Sequence, residues 1–183
     1  MTVATVTTGD YNIDAAHSQI GFIARHAMVA KVRGNFTEFE GSGHFDAENP
    51  SNSSLSLTIQ AGSIDTRNAD RDAHLRTNDF FGIDENPTIT FVSTKVEGAG
   101  NDTYTVTGDL TMRDVTKSIT FDLETTGSAV DPFGNTRMGL EGSVVVNRKD
   151  WGLNWNAALE AGGLLLSEKV TLEFEVSAIK TDA

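Results

Sequence analysis

The chain has 183 residues, enough for one domain with a sizeable core, and its 14 basic and 26 acidic residues give a formal net charge of −12. This charge opposes binding to nucleic acid and to anionic lipid surfaces. Cysteine is absent, which excludes disulfides, thiol catalysis and cysteine-ligated zinc or iron–sulfur centres.

The amino-terminal segment MTVATVTTGD contains neither a basic cluster nor a long apolar run, so it predicts no secretory signal. We interpret residues 1–10 as a loose extension and residues 1–183 as a single domain. No segment approaches the roughly 18 apolar residues of a membrane-spanning helix. These features favour a cytoplasmic protein without an integral membrane segment.

Alternation of apolar and polar residues predicts about eight strands, joined mostly by short turns. The segments with this period of two are 19–26, 54–59, 88–91, 106–110, 119–123 and 170–176, and further strands are expected near 31–46 and 137–148. The pattern is typical of an antiparallel sheet that curls into a barrel or sandwich. A barrel of this size is either filled by its own side chains or holds one small ligand.

One charged, helix-length segment, RNADRDAHLRTNDFF at 67–81, interrupts the strands. Asn68 can cap its first turn, and Asp70 and Asp72 lie where the helix dipole favours negative charge. A lone polar helix beside a closed sheet is expected to cap or flank the barrel mouth. A second helical stretch is expected at 156–161.

Four polar side chains are candidates for contact with a ligand head group. They are His26, Arg67, Arg71 and His74. His26 shares the parity of the apolar residues Ile20 and Phe22, although a core histidine satisfied by backbone or water fits the same position. The arginines suit a phosphate or carbonyl group at the mouth, or else intrahelical pairs on a solvated face.

Signatures of metal sites, phosphate loops and catalytic elbows are missing from the sequence. It contains no HExxH, GxSxG, GxGxxG or Walker-type motif. We therefore predict no metal, no cofactor and no catalytic residue.

Seven segments in order resemble the YceI-like family, a group of lipocalin-like polyisoprenoid-binding proteins. They are YNIDAAHSQIGFIARH at 11–26, VRGNFTEFEGSGHFD at 32–46, SIDTRNADRDAHLRTNDFF at 63–81, PTITFVSTKV at 87–96, YTVTGDLTMRDVTKSITFDL at 104–123, DPFGNTRMGLEG at 131–142 and NRKDWGLNW at 147–155. The resemblance implies an all-β, eight-stranded antiparallel lipocalin-like β-barrel with an apolar tunnel. It also implies a polyisoprenoid ligand, such as a prenyl phosphate or an isoprenoid quinone. Many family members carry an export signal, which this sequence does not show.

The leading hypothesis is a non-enzymatic protein that carries, stores or sequesters such a lipid. The predicted tunnel lining comprises Phe22, Phe36, Phe39, Ile59, Phe91, Leu110, Phe121, Leu123, Leu172 and Phe174. The residues expected to border the helical cap are Leu75, Phe80, Phe81, Trp151 and Trp155.

Two other functions stay open at this point. One is an enzyme acting on a bound small molecule, for which His26 beside a carboxylate is the only candidate centre. The other is a protein-interaction module whose barrel is filled. An exposed strand or helix face also leaves a homodimer open.

Overall fold

The computed structural model describes residues 6–159 and 165–181. Within these ranges the chain forms eleven strands and one α-helix, α1 (Ala69–Arg76). The strands are β1 (Gly9–Ile13), β2 (Gln19–His26), β3 (Ala30–Phe36), β4 (Phe39–Phe45), β5 (Ser54–Gln60), β6 (Ile64–Asp65), β7 (Thr88–Gly100), β8 (Thr103–Met112), β9 (Val115–Val130), β10 (Thr136–Asn147) and β11 (Lys169–Lys180).

Eight strands form a closed antiparallel barrel. Their order is β1-β4-β5-β7-β8-β9-β10-β11, and pairing of β1 with β11 completes the ring. At one end the sheet continues from β11 through β2 and β3 to the short β6. The predicted eight-stranded antiparallel barrel is therefore confirmed.

The alternation that predicted the strands also sets which side chains enter the barrel. On β11, the glutamates Glu173 and Glu175 are exposed, whereas Leu172 and Phe174 pack against the main core. Strand β11 pairs with β10 in unbroken register, from Arg137 opposite Ile179 to Asn147 opposite Lys169. Because successive side chains point to opposite faces, this register places one whole set of residues inside.

Helix α1 begins as predicted and is shorter than the charged segment. The Asn68 side chain accepts a hydrogen bond from the Arg71 N–H at 3.0 Å, and the helix ends at Arg76. The Arg76 guanidinium donates to the carbonyls of Gly62 and Ile64 at 2.9 and 3.3 Å, which fastens the helix to the segment before it. Helix α1 therefore sits beside β6, at the β2–β3 end of the barrel.

Two expectations about the chain need correction. Residues 156–159 form no helix, and 160–161 lie outside the described residues. Strand β1 already begins at Gly9, and Val6 packs in a small buried cluster, so the described part of the first ten residues is not loose. No helix in the described ranges is long and apolar enough to span a membrane.

Candidate ligand-binding site

The barrel contains an apolar cavity of about 670 Å³. Strand β11 shows its extent, because every second residue along it contributes to the lining: Val170, Leu172, Phe174, Val176 and Ala178. Eight residues of extended chain cover about 26 Å, so the cavity follows most of the length of the strand. A space of this shape suits one long, narrow apolar molecule.

Aromatic rings form a large part of the cavity wall. The Phe121 ring lies between those of Phe91 and Phe174, with centroid distances of 5.5 and 5.3 Å. Nearer α1, the rings of Phe22 and Phe36 are 5.9 Å apart. Tilted contacts of this kind are favourable between aromatic side chains, so they hold the wall in a defined shape.

Beside α1, three polar residues form a connected chain at the cavity. Buried Asp72 accepts hydrogen bonds from the Thr66 N–H at 2.9 Å and from the Thr66 hydroxyl at 2.5 Å. The Arg71 Nε donates to Thr66 Oγ1 at 2.8 Å, and its Nη2 donates to the Thr66 carbonyl at 2.6 Å. The Arg71 side chain is thus held in place while it lines the cavity. Among the described residues no hydrogen-bond acceptor meets its Nη1.

His74 lies on the same helix and also lines the cavity. Its Nε2 is 2.8 Å from Asp79 Oδ2, and its ring packs edge-on against Phe80 and Trp155 at centroid distances of 5.2 and 4.7 Å. These contacts fix the ring at the boundary between the apolar wall and solvent.

Arg148 is a buried cation that forms hydrogen bonds to the backbone of the connection between β10 and β11. Its guanidinium donates to the backbone carbonyls of Ser167 at 2.8 Å, of Leu153, and of Leu166 at 3.5 Å. Burial lowers the pKa of this guanidinium. Because a backbone oxygen accepts a hydrogen bond from each of its three nitrogens, Arg148 ties the connection to the barrel, and it also lines the cavity.

The opposite end of the cavity is also partly polar. Its lining includes Ser42, Ser54 and His44, whose Nδ1 is 2.8 Å from Asp10 Oδ1. Tyr104 packs edge-on against Phe45 at 5.3 Å, and burial, followed by the charge of Asp102, raises the pKa of its hydroxyl. The cavity therefore has an apolar middle between two ends that carry polar groups.

Comparison with known proteins shows which family this barrel belongs to. The model of the YceI-like domain matches residues 11–178. The chain belongs to the YceI-like family. A UPF0312 protein of Pseudomonas aeruginosa strain LESB58 is 40% identical over 154 residues, which cover 83% of this chain and 80% of that protein.

Two solved structures are similar to this YceI-like protein. The Campylobacter jejuni YCEI protein superposes with a TM-score of 0.74 at 29% identity, covering 86% of this chain and 90% of that one. A polyisoprenoid binding domain from Saccharophagus degradans, implicated in plant cell wall breakdown, gives a TM-score of 0.69 at 17% identity, covering 98% of this chain and 100% of that one. At that identity, the second likeness shows the fold alone.

All but three of the candidate residues line the cavity of the YceI-like barrel. Those that line it are Phe22, His26, Phe36, Ile59, Arg71, His74, Leu75, Phe80, Phe81, Phe91, Leu110, Phe121, Leu123, Trp155, Leu172 and Phe174. His26 is exposed at the mouth, where its backbone bridges to Leu166. The contact of any of these residues with a ligand stays a prediction.

The three exceptions have different surroundings. Phe39 lies at the start of β4 and packs into the core from outside the cavity lining. Arg67 is exposed in a left-handed turn with φ of 64°, and its N–H donates to Asp65 Oδ1 at 2.9 Å. Trp151 is 2% exposed, and its indole N–H donates to the Leu110 carbonyl at 2.8 Å. It is a core residue outside the cavity lining.

Sequence reasoning missed the polar residues that organise the helical end. Asp72 lies in the first turn of α1, as the helix dipole favours, and it is also the buried acceptor for Thr66, which the sequence did not indicate. No sequence pattern marks Thr66 as a functional residue, because its contacts with Asp72 and Arg71 form only when the turn before α1 folds. The partners of Arg148 likewise come from the folded β10–β11 connection, which brings the carbonyls of Ser167, Leu153 and Leu166 to its guanidinium.

Proposed function

We propose that this YceI-like protein binds one polyisoprenoid chain in its barrel, to carry, store or sequester it without transforming it. The observation that carries the proposal is the cavity of about 670 Å³ with its almost wholly apolar wall. The YceI-like fold and the likeness to a polyisoprenoid binding domain support an apolar ligand in the barrel. An open interior counts against a barrel filled by its own side chains.

Apolar burial alone supplies the affinity that such a ligand needs. Burying one CH₂ group contributes about 0.8 kcal/mol, so a five-carbon isoprene unit contributes roughly 4 kcal/mol before ordering costs. Five such units approach the ~20 kcal/mol ceiling of non-covalent binding. The tunnel therefore needs few polar contacts, and its length and width do most of the selection.

A head group fits best at the α1 end, beside Arg71. The guanidinium there is positioned by Thr66 and retains a donor on Nη1 with no acceptor among the described residues. A planar cation with a free donor suits a phosphate oxygen or a quinone carbonyl. Both prenyl phosphates and isoprenoid quinones meet this requirement.

The binding function is tested by mass spectrometry of an organic extract from natively purified protein. A polyisoprenoid stoichiometric with protein is the expected result. The Phe121→Asp variant, which places a charge in the cavity wall, should retain less than about a tenth of that lipid.

The matched control is Val92→Asp, because Val92 is 53% exposed on β7 and lies next to Phe91 on the opposite face. It should keep its lipid. Equal lipid in a folded Phe121→Asp variant would show that the cavity is not the binding site.

The head-group position is tested separately with Arg71→Met, which keeps the aliphatic stem and removes the charge. Affinity for a prenyl phosphate should fall roughly tenfold or more, while affinity for the uncharged prenol of equal length should change little. Titrations with both ligands measure this difference. An equal loss for both ligands would mean that Arg71 supports the helix rather than a head group.

A further inference from the structure

The β2–β3 hairpin presents an apolar tip to solvent beside the connection between β10 and β11. Its turn, residues 27–29, exposes 65% of Met28 and 75% of Val29. Ala27 and Met28 hold this turn in left-handed backbone geometry, with φ of 51° and 67°. Large aliphatic side chains at the outermost point of a hairpin gain nothing from the core of their own protein.

The same hairpin has the opposite charge to the rest of the molecule. Residues 15–37 contain no Asp or Glu, in a chain that has 26 acidic residues. Arg25 and Lys31 are exposed and lie directly opposite one another on β2 and β3. Like charges facing each other across a strand pair are unfavourable unless an anion lies near them. Arg33 adds a third positive charge, with only a 3.9 Å contact to Glu173.

The acidic side chains on and just before β11 are either distant from this tip or paired with a cation. Glu173 and Glu175 pair with Gly21 and Gln19 of β2, six and eight residues from the start of the turn, or about 20 and 26 Å along the strand. Glu168 follows Ser167, whose N–H donates to the Arg25 carbonyl, and its carboxylate is paired with Lys149 at 2.9 Å. The Debye length at physiological ionic strength is only about 8 Å. The positive hairpin can therefore approach an anionic surface without strong repulsion from the net charge.

The tip adjoins the mouth of the cavity. His26, the last residue of β2, lines the cavity, and the Ala27 N–H donates to the Leu165 carbonyl at 2.6 Å, in the β10–β11 connection that also lines it. A surface that covers the tip would thus meet the mouth as well.

We propose that the β2–β3 hairpin docks the barrel on an anionic phospholipid bilayer, with Met28 and Val29 inserted between head groups and Arg25 and Lys31 against lipid phosphates. The idea rests on the proposed function, because a polyisoprenoid is insoluble in water and resides in bilayers. Docking at the mouth lets the chain pass between membrane and cavity without crossing water. Apolar insertion and basic attraction reinforce one another in surface-bound proteins.

Vesicle sedimentation at about 0.15 M salt tests the docking, since only charges near the surface act at that ionic strength. The probes are vesicles of phosphatidylcholine alone and of phosphatidylcholine with phosphatidylglycerol. The wild-type protein should partition onto the mixed vesicles, and Met28→Asn with Val29→Thr should weaken this about tenfold. Asn tolerates the left-handed turn and Thr keeps the shape of Val, so the fold is preserved. Arg25→Gln with Lys31→Gln should weaken binding to the mixed vesicles by a similar factor.

Phe133→Ser is the matched control, because Phe133 is 88% exposed on the β9–β10 hairpin at the opposite end of the barrel. It should bind vesicles as the wild type does. The docking proposal fails if the wild type ignores both vesicles, if the tip variant binds unchanged, or if Phe133→Ser abolishes binding. It also fails if the tip variant loses only self-association, measured by sedimentation velocity.

Lipid retention in detergent solution separates this proposal from the proposed function. The tip variant should retain its co-purified polyisoprenoid, because Met28 and Val29 lie outside the cavity lining. Loss of lipid from the wild type itself would overturn the binding function, whereas vesicle partition would still decide the docking.

Discussion

Gly108 gives the Phe91 ring the space in which it lies. A Cβ atom on Gly108 would overlap the edge of that ring and approach the Val92 carbonyl to 2.6 Å. Phe91 is buried in the cavity wall, and its ring contacts Phe121. The absent side chain thus lets the ring cross onto β8 and complete the wall.

We therefore expect Gly108→Ala to destabilise the fold by about 1–3 kcal/mol, because either the ring or the strand must move. Urea unfolding measures the change. Gly98→Ala is the control within the same β7–β8 pair, since its Cβ would meet only Pro50 Cγ at an ordinary 3.5 Å. If both variants lost the same stability, backbone preference rather than the Phe91 ring would explain the effect.

The sequence predicted inward-facing residues better than polar contacts. Ile20, Phe22 and His26 follow a period of two. Once one face of a strand is buried, this period alone decides which side chains point inward. The Asp72–Thr66–Arg71 chain depends instead on how the turn before α1 folds. The space over Gly108 depends on the register between two strands, which alternation does not specify.

At the level of elements, the β9–β10 hairpin is held by one carboxylate. Asp131 pairs with Arg137 at 2.7 Å and accepts hydrogen bonds from the backbone N–H groups of Phe133 and Asn135. The Arg137 bond first, then those from Asn135, hold the pKa of Asp131 well below its ordinary value of 3.8. A carboxyl with a lowered folded-state pKa stabilises the protein above the unfolded-state value and loses this contribution as pH falls below it.

Asp131→Asn should therefore be less stable than the wild type at pH 7, and the difference should shrink as pH falls below about 3.9. Asn retains the turn hydrogen bonds, so the loss reports the charge. Denaturant midpoints between pH 7 and 2 measure it. Asp84→Asn, an exposed carboxylate without a hydrogen bond among the described residues, is the control and should show no such convergence. A constant difference across this range would mean that the turn geometry, not the ion pair, was lost.

Three neighbouring strands also place like charges side by side. Glu141 on β10 lies opposite Glu124 on β9 and opposite Glu175 on β11. Facing like charges cost roughly 0.2–1 kcal/mol per pair. The row is a local source of repulsion on the outer face of the barrel.

Glu141→Gln should accordingly raise stability by up to about 1 kcal/mol at low ionic strength, and the gain should shrink with added salt. Chemical unfolding at two salt concentrations checks this. Glu97→Gln changes the net charge equally and breaks the 3.0 Å pair with Lys95, so it should give no gain. Equal gains from both variants would point to net charge rather than to the row of glutamates.

For the whole molecule, the cavity and the stability of the barrel are linked. A ligand that binds only the folded state stabilises it by RT ln(1 + [L]/Kd), about 2.7 kcal/mol at a concentration of 100 Kd. Strands on every side of the barrel contribute to the cavity wall, so a bound chain bridges the closed sheet from within. Stripping the lipid should therefore lower the unfolding temperature, and adding it back should restore it.

Chain length makes this prediction specific. Each isoprene unit buried adds roughly 4 kcal/mol of gross apolar transfer, so prenols of increasing length should raise the unfolding temperature stepwise at a fixed concentration. The rise should stop once the chain exceeds the cavity, which follows about 26 Å of strand. Calorimetry of delipidated protein with a series of prenols measures both the slope and the plateau. An unfolding temperature that kept rising with chains longer than the cavity would indicate binding on the outer surface. No rise at any length would mean that a chain inside the barrel does not stabilise the fold.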